Sequence, residues 1–259
     1  MEDVELFCGD CLDIMDKFPN KSIDMILTDL PYGILNKENK NSKWDTLIPV
    51  EKLWNQYERI IKDNGAIILF GSGMFTANLM KSNEKMWRYN LIWKKGERTS
   101  GFLNAHRQPL RNHEDIIVFY KKQPTYHPQF EYGFKPTHKR GKITGELGEG
   151  AETNNCYGKF KTIENRDYGD KRFPKSVLNF EREHPPIHNT QKPVLLCEWL
   201  IKTYTDEGET VLDSCAGSMT TGIACINTGR KGICIEKDEK IFKKGYDRIL
   251  QHKKNLTCK

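Results

Sequence analysis

A short apolar run, Asp24-Met25-Ile26-Leu27-Thr28, ends abruptly in Asp29-Leu30-Pro31-Tyr32-Gly33, and this junction most narrows what the chain can fold into. The run suits a buried strand. The five residues after it suit a tight turn, with Pro31 stiffening the backbone and Gly33 free to adopt torsions closed to other residues. Open α/β sheets bind ligands at the carboxyl ends of their strands, so a carboxylate and an aromatic ring at this position form a candidate site. An ordinary strand-ending turn with a capping Asp fits these residues equally well. The remainder of the chain has to decide.

Strand and helix patterns alternate on both sides of a less regular middle. Before it, Val4 to Phe7 reads as a strand and Leu12 to Lys17 as a short helix. Pro49 to Asp63 reads as a helix with Leu53, Trp54, Tyr57, Ile60 and Ile61 on one face. Ala66 to Phe70 is a strand, Phe75 to Lys81 a helix, and Tyr89 to Trp93 and Ile116 to Tyr120 are strands. After it, Pro193 opens a helix burying Leu196, Trp199, Leu200 and Thr203. The strand Thr210 to Asp213, the helix Thr220 to Asn227, the strand Gly232 to Glu236 and the helix Phe242 to His252 complete the pattern. The expected fold is α/β, a doubly wound, mostly parallel sheet built from both ends of the chain. Residues 1–120 and 188–259 then form one domain, and 121–187 an irregular insert.

Charge points the same way. Between Lys94 and Thr190 there are 18 Lys and Arg against 12 Asp and Glu, an excess equal to the net +6 of all 259 residues; six of the seven histidines fall there too. A basic segment rich in aromatic rings favours a polyanionic partner, although a solvated basic insert has the same composition. Lys121, Lys122, Lys139 and Arg140 are its candidate phosphate contacts. Mean hydropathy is −0.69, no apolar run approaches the roughly 20 residues of a membrane helix, and Met1-Glu2-Asp3-Val4 lacks the features of a signal peptide. A cytoplasmic protein without membrane contact is expected. Of eight cysteines, only Cys8 and Cys11 form a CxxC, with no second pair at zinc-like spacing, so no metal is expected and reduced thiols are.

A second candidate site links a strand to a helix: Asp213-Ser214-Cys215-Ala216-Gly217-Ser218-Met219-Thr220-Thr221-Gly222. Small residues let a ligand approach the backbone, and Glu236, at the end of the next strand, is positioned for ribose hydroxyls. That layout suits a nucleoside cofactor, whether NAD, FAD or S-adenosylmethionine. Small residues that merely allow helix–sheet packing give the same pattern.

Together the two stretches resemble a family. Asp29-Leu30-Pro31-Tyr32 resembles the D-P-P-Y motif of amino-group DNA methyltransferases, and Asp213 to Gly222 resembles their S-adenosylmethionine motif. Gly9-Asp10-Cys11-Leu12, Arg111-Asn112-His113-Glu114 and His188-Asn189-Thr190-Gln191-Lys192-Pro193 are further matches. The catalytic motif precedes the cofactor motif, with a variable segment between, which is the permuted order of the β class. The resemblance spans nearly the whole chain outside Lys121 to Ile187. It implies a permuted Rossmann-like fold with a target-recognition insert, and an S-adenosyl-L-methionine-dependent, site-specific methyltransferase acting on the N6 amine of adenine in double-stranded DNA. N4-cytosine methylation, where the family more often carries Ser at position 29, is the alternative within the class. A catalytically inactive DNA-binding protein on the same scaffold is the alternative outside it. A dinucleotide-dependent oxidoreductase leaves the Asp29 turn unexplained.

The chemistry accounts for the residue types. The lone pair of an exocyclic amine is delocalised into the base, and acceptors on both N–H groups localise it on nitrogen. The Asp29 carboxylate and the Leu30 carbonyl can serve as those acceptors, with Pro31 aiming the carbonyl and Tyr32 stacking on the base. A paired base cannot present its amine in this way, so flipping is expected. By the resemblance, Asp10, Cys11 and Leu12 hold the cofactor adenine, Glu236 its ribose and Lys192, beside Thr190, its methionine carboxylate. Asp213, Cys215, Gly217, Ser218, Thr220 and Thr221 cradle the methionine moiety, and Asp29 touches its amino group. Arg111 and His113 line the DNA cleft, while Glu114 either joins them or is ion-paired with a neighbouring basic residue. The resemblance also allows a homodimer and a restriction endonuclease counterpart. Two residues depart from the pattern. Leu30 replaces the first proline of the motif, and Met219 stands where a glycine is usual, at a cost of about 1 kcal/mol or more if that position needs positive φ.

Overall fold

The computed structural model describes residues 4–33, 45–134, 169–183 and 191–257. Its eight strands are β1 (Val4–Cys8), β2 (Ile23–Thr28), β3 (Ile61–Gly71), β4 (Trp87–Lys94), β5 (His113–Phe119), β6 (Val177–Asn179), β7 (Thr210–Asp213) and β8 (Lys231–Glu236). They form one sheet in the order β1-β8-β7-β2-β3-β5-β4-β6. The helices are α1 (Cys11–Met15), α2 (Val50–Ile60), α3 (Met74–Ser82), α4 (Val194–Tyr204), α5 (Thr220–Thr228) and α6 (Glu239–Thr257).

The expected α/β sheet is present and built from both ends of the chain: β2 pairs with β7 and β1 with β8, all parallel. From the centre, β2 crosses through α2 to β3 on one side, and β7 crosses through α5 to β8 on the other. The carboxyl ends of β2 and β7 therefore flank the point where the winding reverses, which is where such sheets hold ligands. Side chains alternate across the sheet as the strand period requires. Ile26, Ile67 and Leu69 pack with Leu53, Trp54 and Tyr57 of α2 on one face. Met25, Leu27, Ile68 and Val211 pack with Leu196 and Leu200 of α4 on the other.

The structure departs from the sequence pattern in four details. Ile61 opens β3 instead of closing α2, because both uses bury it. β5 runs antiparallel to β3 and to β4. β6 lies in the segment without periodicity and pairs parallel with β4. Trp199 is only half-buried, whereas Cys197 and Ile201 are buried. Internal contacts divide the chain into Met1–His127 with Lys175–Lys259, and a second compact unit, Pro128–Pro174. In the second unit Glu131 and Arg172 exchange backbone hydrogen bonds of 2.9 and 2.8 Å, and Phe130 packs on Phe173 at 5.0 Å. Among the described residues no helix is long and apolar enough to cross a membrane, and no group of His, Cys, Asp or Glu could hold a metal ion.

Met219 does sit at positive φ, 61°, immediately before α5. Its side chain is fully buried with Ala216, Ile223, Cys234 and Ile249, under α6. A Cβ on Gly245 of α6 would come within 2.5 Å of the Met219 Cγ and 2.9 Å of the Gly217 carbonyl, so the glycine makes room for the methionine. The left-handed backbone costs about 1–2 kcal/mol, whereas emptying a buried methionine pocket costs about 2–5 kcal/mol. The difference, about 0–4 kcal/mol and centred on about 2 kcal/mol, means that Met219→Gly should lower stability, read as a lower denaturant midpoint, although it restores the glycine usual at that position. A stabilised variant would mean that strain dominates.

Candidate active site

The two halves of the site are sewn together at the β2–β7 seam. The Thr28 hydroxyl donates to Asp213 Oδ1 at 2.5 Å and accepts from the Ser214 amide at 2.8 Å. Asp213 also accepts from the Thr221 hydroxyl (2.6 Å) and the Cys215 amide (3.1 Å). One buried carboxylate thus joins β7, β2 and the start of α5. Burial, partly countered by the Thr221 and Thr28 hydroxyls, pushes its pKa up to about 6.

Around this seam lies a cavity of about 740 Å³, walled by the carboxyl ends of β2, β3, β7 and β8 and by the loops that extend from them. That size is within the roughly 300–1,000 Å³ range of small-molecule sites. On one side are the loop 213–218 and Glu236. The Glu236 carboxylate accepts from the Gly217 amide (2.9 Å) and the Asp238 amide (2.8 Å), and burial raises its pKa. Gly217 has φ 50°, and a Cβ there would meet nothing within 4 Å, so the loop's backbone faces open space. Gly9 to Leu12 complete this half. Asp10 caps α1 through the Leu12 amide (2.9 Å) and pairs with Lys237 (2.9 Å), which lowers its pKa. Arg248 of α6 fixes the loop from behind by donating to the Ser218 carbonyl (2.9 Å) and the Thr220 hydroxyl (2.9 Å).

The other half is the turn after β2. The Leu30 side chain is buried in the core at 5 % exposure, which leaves its backbone as the part able to face a ligand. The Tyr32 hydroxyl donates to Asp29 Oδ1 at 3.1 Å, and its ring stacks on Phe75 with centroids 4.5 Å apart. Gly33, at φ 66°, donates its amide to the buried Asp45 carboxylate at 2.8 Å; a Cβ on it would collide with Leu47 at 2.7 Å.

Charges here form a chain. Lys192, 8 % exposed, donates to Asp29 Oδ2, and its amine lies 3.3 Å from Glu114 Oε2 and 4.9 Å from the centre of the Phe70 ring. Lys95, also buried, donates to Glu114 Oε1 at 2.5 Å. Glu114 Oε2 is buried and makes no hydrogen bond of good geometry among the described residues. Burial works to raise the Asp29 pKa and prevails; Lys192 opposes it and Glu114 adds to it. Burial works the same way on Glu114, but the two lysines outweigh it and lower its pKa.

The cavity therefore brings together Asp10, Cys11, Leu12, Asp29, Leu30, Pro31, Tyr32, Arg111, Lys192, Asp213, Cys215, Gly217, Ser218, Thr220, Thr221 and Glu236. His113 is exposed at the adjoining start of β5. Glu114 is ion-paired with Lys95 and Lys192. Lys121 and Lys122 are not at the site: antiparallel β5 carries them to the opposite end of the sheet, where they pair with Glu58 and Asp63. Lys139, Arg140 and Thr190 lie outside the described residues. Phe75, Lys95 and Asp45 escape the sequence reading, since a helix-start aromatic, one lysine of an adjacent pair and a loop aspartate carry no local signal.

This architecture is that of the methyltransferases. The chain aligns over 95 % of its length with 98 % of the chain in the crystal structure of the M1.HpyAVI–SAM complex (TM-score 0.62, 22 % identity). It aligns over 95 % of its length with 86 % of the PvuII DNA methyltransferase, which is cytosine-N4-specific (TM-score 0.68, 14 % identity). The DNA methylase family model matches residues 23–247, and the chain belongs to that family. Similar relatives include the DNA adenine methyltransferase YhdJ of Escherichia coli, 25 % identical over 93 % of this chain and 81 % of that protein. The type II methyltransferase M.HpaI of Haemophilus parainfluenzae is 25 % identical over 95 % and 74 %.

A carboxyl with a raised pKa binds a proton in the folded state that the unfolded chain has already released. For Asp213, stability attributable to this group falls as pH rises from about 4 to about 6, by about 3 kcal/mol at most. Asp213→Asn removes that loss, so stability measured relative to wild type should improve between pH 4 and pH 7. A difference that stays flat with pH would show that Asp213 ionises normally.

Proposed function

We propose that the chain transfers a methyl group from S-adenosyl-L-methionine to the N6 amine of adenine in double-stranded DNA. The observation that carries this reading is one cavity faced both by the Asp29–Tyr32 turn and by the small-residue loop ending at α5. Family membership and the adenine-modifying relative YhdJ support it. Asp at position 29, where the N4-cytosine enzymes of the resemblance more often carry Ser, favours adenine.

The residues fit the cofactor. The open face of Gly217, the buried acid Glu236 and the Asp10–Leu12 turn would hold its nucleoside, and Ser218, Thr220 and Thr221 would border its amino-acid end. When bound, it would supply an electrophilic sulfonium methyl and would leave as the neutral thioether, and the surplus proton of the methylated amine would pass through the Asp29 carboxylate, which already accepts that N–H, to solvent. The chain's own work is to prepare that amine. Asp29 accepts one N–H and the Leu30 carbonyl the other, while Tyr32, braced from behind by Phe75, offers its free ring face to a base that has left the helix. Lys192 favours the ionised form of Asp29, countering part of the rise that burial imposes on its pKa. Glu114 Oε2, 3.3 Å from the same ammonium, gives it a second seat when the base amine takes Asp29. The unit spanning 128–174, with its clustered aromatic rings, is the candidate for target recognition.

Incubation of DNA with tritiated cofactor, followed by nuclease digestion and nucleoside mass spectrometry, tests the reading and separates N6-methyladenine from N4-methylcytosine. Asp29→Ala should keep the melting temperature within a few degrees and lose at least about a hundred-fold in kcat. Undiminished transfer would sink the mechanism. Because Glu114 raises the Asp29 pKa and Asp29 must be ionised to accept, Glu114→Gln should move the acid limb of kcat to lower pH. Its plateau should drop about ten-fold as Lys192 stays on Asp29.

A further inference from the structure

The loop joining β4 to β5, residues 95–112, leaves two adjacent large apolar side chains in solvent. Phe102 is 76 % exposed and Leu103 84 %, in a 3₁₀ turn, Phe102–Asn104, entered through Gly101 at φ 88°. Residues 101–111 are exposed throughout, so neither side chain contributes to the core. The root of the loop, by contrast, is held firmly. Ser100 and Arg111 exchange backbone hydrogen bonds of 2.7 and 3.0 Å, and the Lys95 amide donates to the Asn112 carbonyl at 2.8 Å. The Arg111 guanidinium donates to the Ser72 hydroxyl at 2.6 Å.

That root belongs to the cavity: Lys95, Ser100 and Arg111 line it. Phe102 is two residues beyond Ser100, so its backbone stands within about 7 Å of the cavity wall. Four Lys and Arg against Glu97 alone make the loop cationic, and exposed Arg98 and Arg107 flank the tip. An apolar tip with basic shoulders, at the mouth of a pocket, is matched to one kind of surface. The space left by a base drawn out of duplex DNA has the flat apolar faces of the neighbouring pairs above and below it, and phosphates on its rim.

We propose that the Phe102–Leu103 tip is a wedge that enters the DNA stack beside the extruded target base and keeps the gap from closing. The inference rests on the DNA methyltransferase reading above. Filling the gap offsets part of the unstacking cost, as inserted apolar side chains do elsewhere. A surface for a second copy of this chain would account for the apolar pair but not for the arginines that flank it.

Wild-type enzyme is first used to methylate plasmid DNA, and sequencing locates the modified site. Transfer is then measured on two short duplexes carrying that site, one fully paired and one abasic opposite the target base, for wild type and for Phe102→Ala/Leu103→Ala. Expected for the double variant is a loss of about ten-fold or more in kcat/KM on the paired duplex, and of no more than about three-fold on the abasic one, where little pairing opposes extrusion. Its melting temperature and its calorimetric binding of S-adenosyl-L-methionine should equal those of wild type. Equal losses on both duplexes, or none on either, would overturn the wedge. So would a wild-type dimer that becomes monomeric in the variant, which would assign the tip to a second copy. Wild-type enzyme that methylates no DNA would fail the methyltransferase reading itself.

Discussion

The hydrogen bond from Thr28 to Asp213 holds the two halves of the cavity together. It joins residues 185 positions apart in the chain, at the seam where the two windings of the sheet meet. On one side of it lies the turn that carries Asp29, and on the other the loop that carries Gly217. Neither half is a site alone. Because Asp213 also ties down Thr221 and the Cys215 amide, the positions of strand end, loop and helix start depend on a single carboxylate. The fold thus commits a buried acid to alignment, where an apolar pair would have packed as well but oriented nothing.

Electrostatics in the opposite wall obey a similar logic. Lys95, Glu114, Lys192 and Asp29 alternate in sign and sum to zero, so four buried or half-buried charges coexist without net charge. Removing Lys192 would leave Asp29 uncompensated in a poorly solvated cleft, which costs more than the pair itself contributes, whereas without Asp29 the Lys192 amine keeps Glu114 as its partner. The aromatic faces of Phe70 and Trp93 under the two ammonium groups add a softer form of compensation. The site is thereby charged enough to act on an amine yet balanced enough to fold.

Much of this was legible in the chain itself. The strand ending at Thr28 and the loop after Asp213 announce themselves by apolar runs that stop at chemically distinctive turns, and their order shows that one sheet is built from both ends. Strand direction was not legible: Ile116 to Phe119 has the same apolar character whether β5 runs up or down, and only its pairing with Ile67 to Gly71 decides. That one reversal sends Lys121 and Lys122 to the far end of the sheet, so a basic pair that looks suited to phosphate lies away from the cavity, beside Glu58 and Asp63. Three-residue β6 has too little sequence to show a period. Phe75 and Lys95 matter through neighbours distant in sequence, Tyr32 and Glu114, and no local pattern encodes such a meeting.

The sheet order has a consequence for how the protein is made. β1 and β2 leave the ribosome well before their partners β8 and β7, which come more than 180 residues later. Until then β2 can pair with β3 on one edge only, and the carboxyl end of β1 has no companion. Closing so long a loop is slow rather than forbidden, since its entropic cost grows only with the logarithm of length. A growing chain therefore carries the turn after β2 without the loop after β7 until more than 180 further residues have been made. The cavity at the sheet's seam can close only after β8 and Glu236 have emerged.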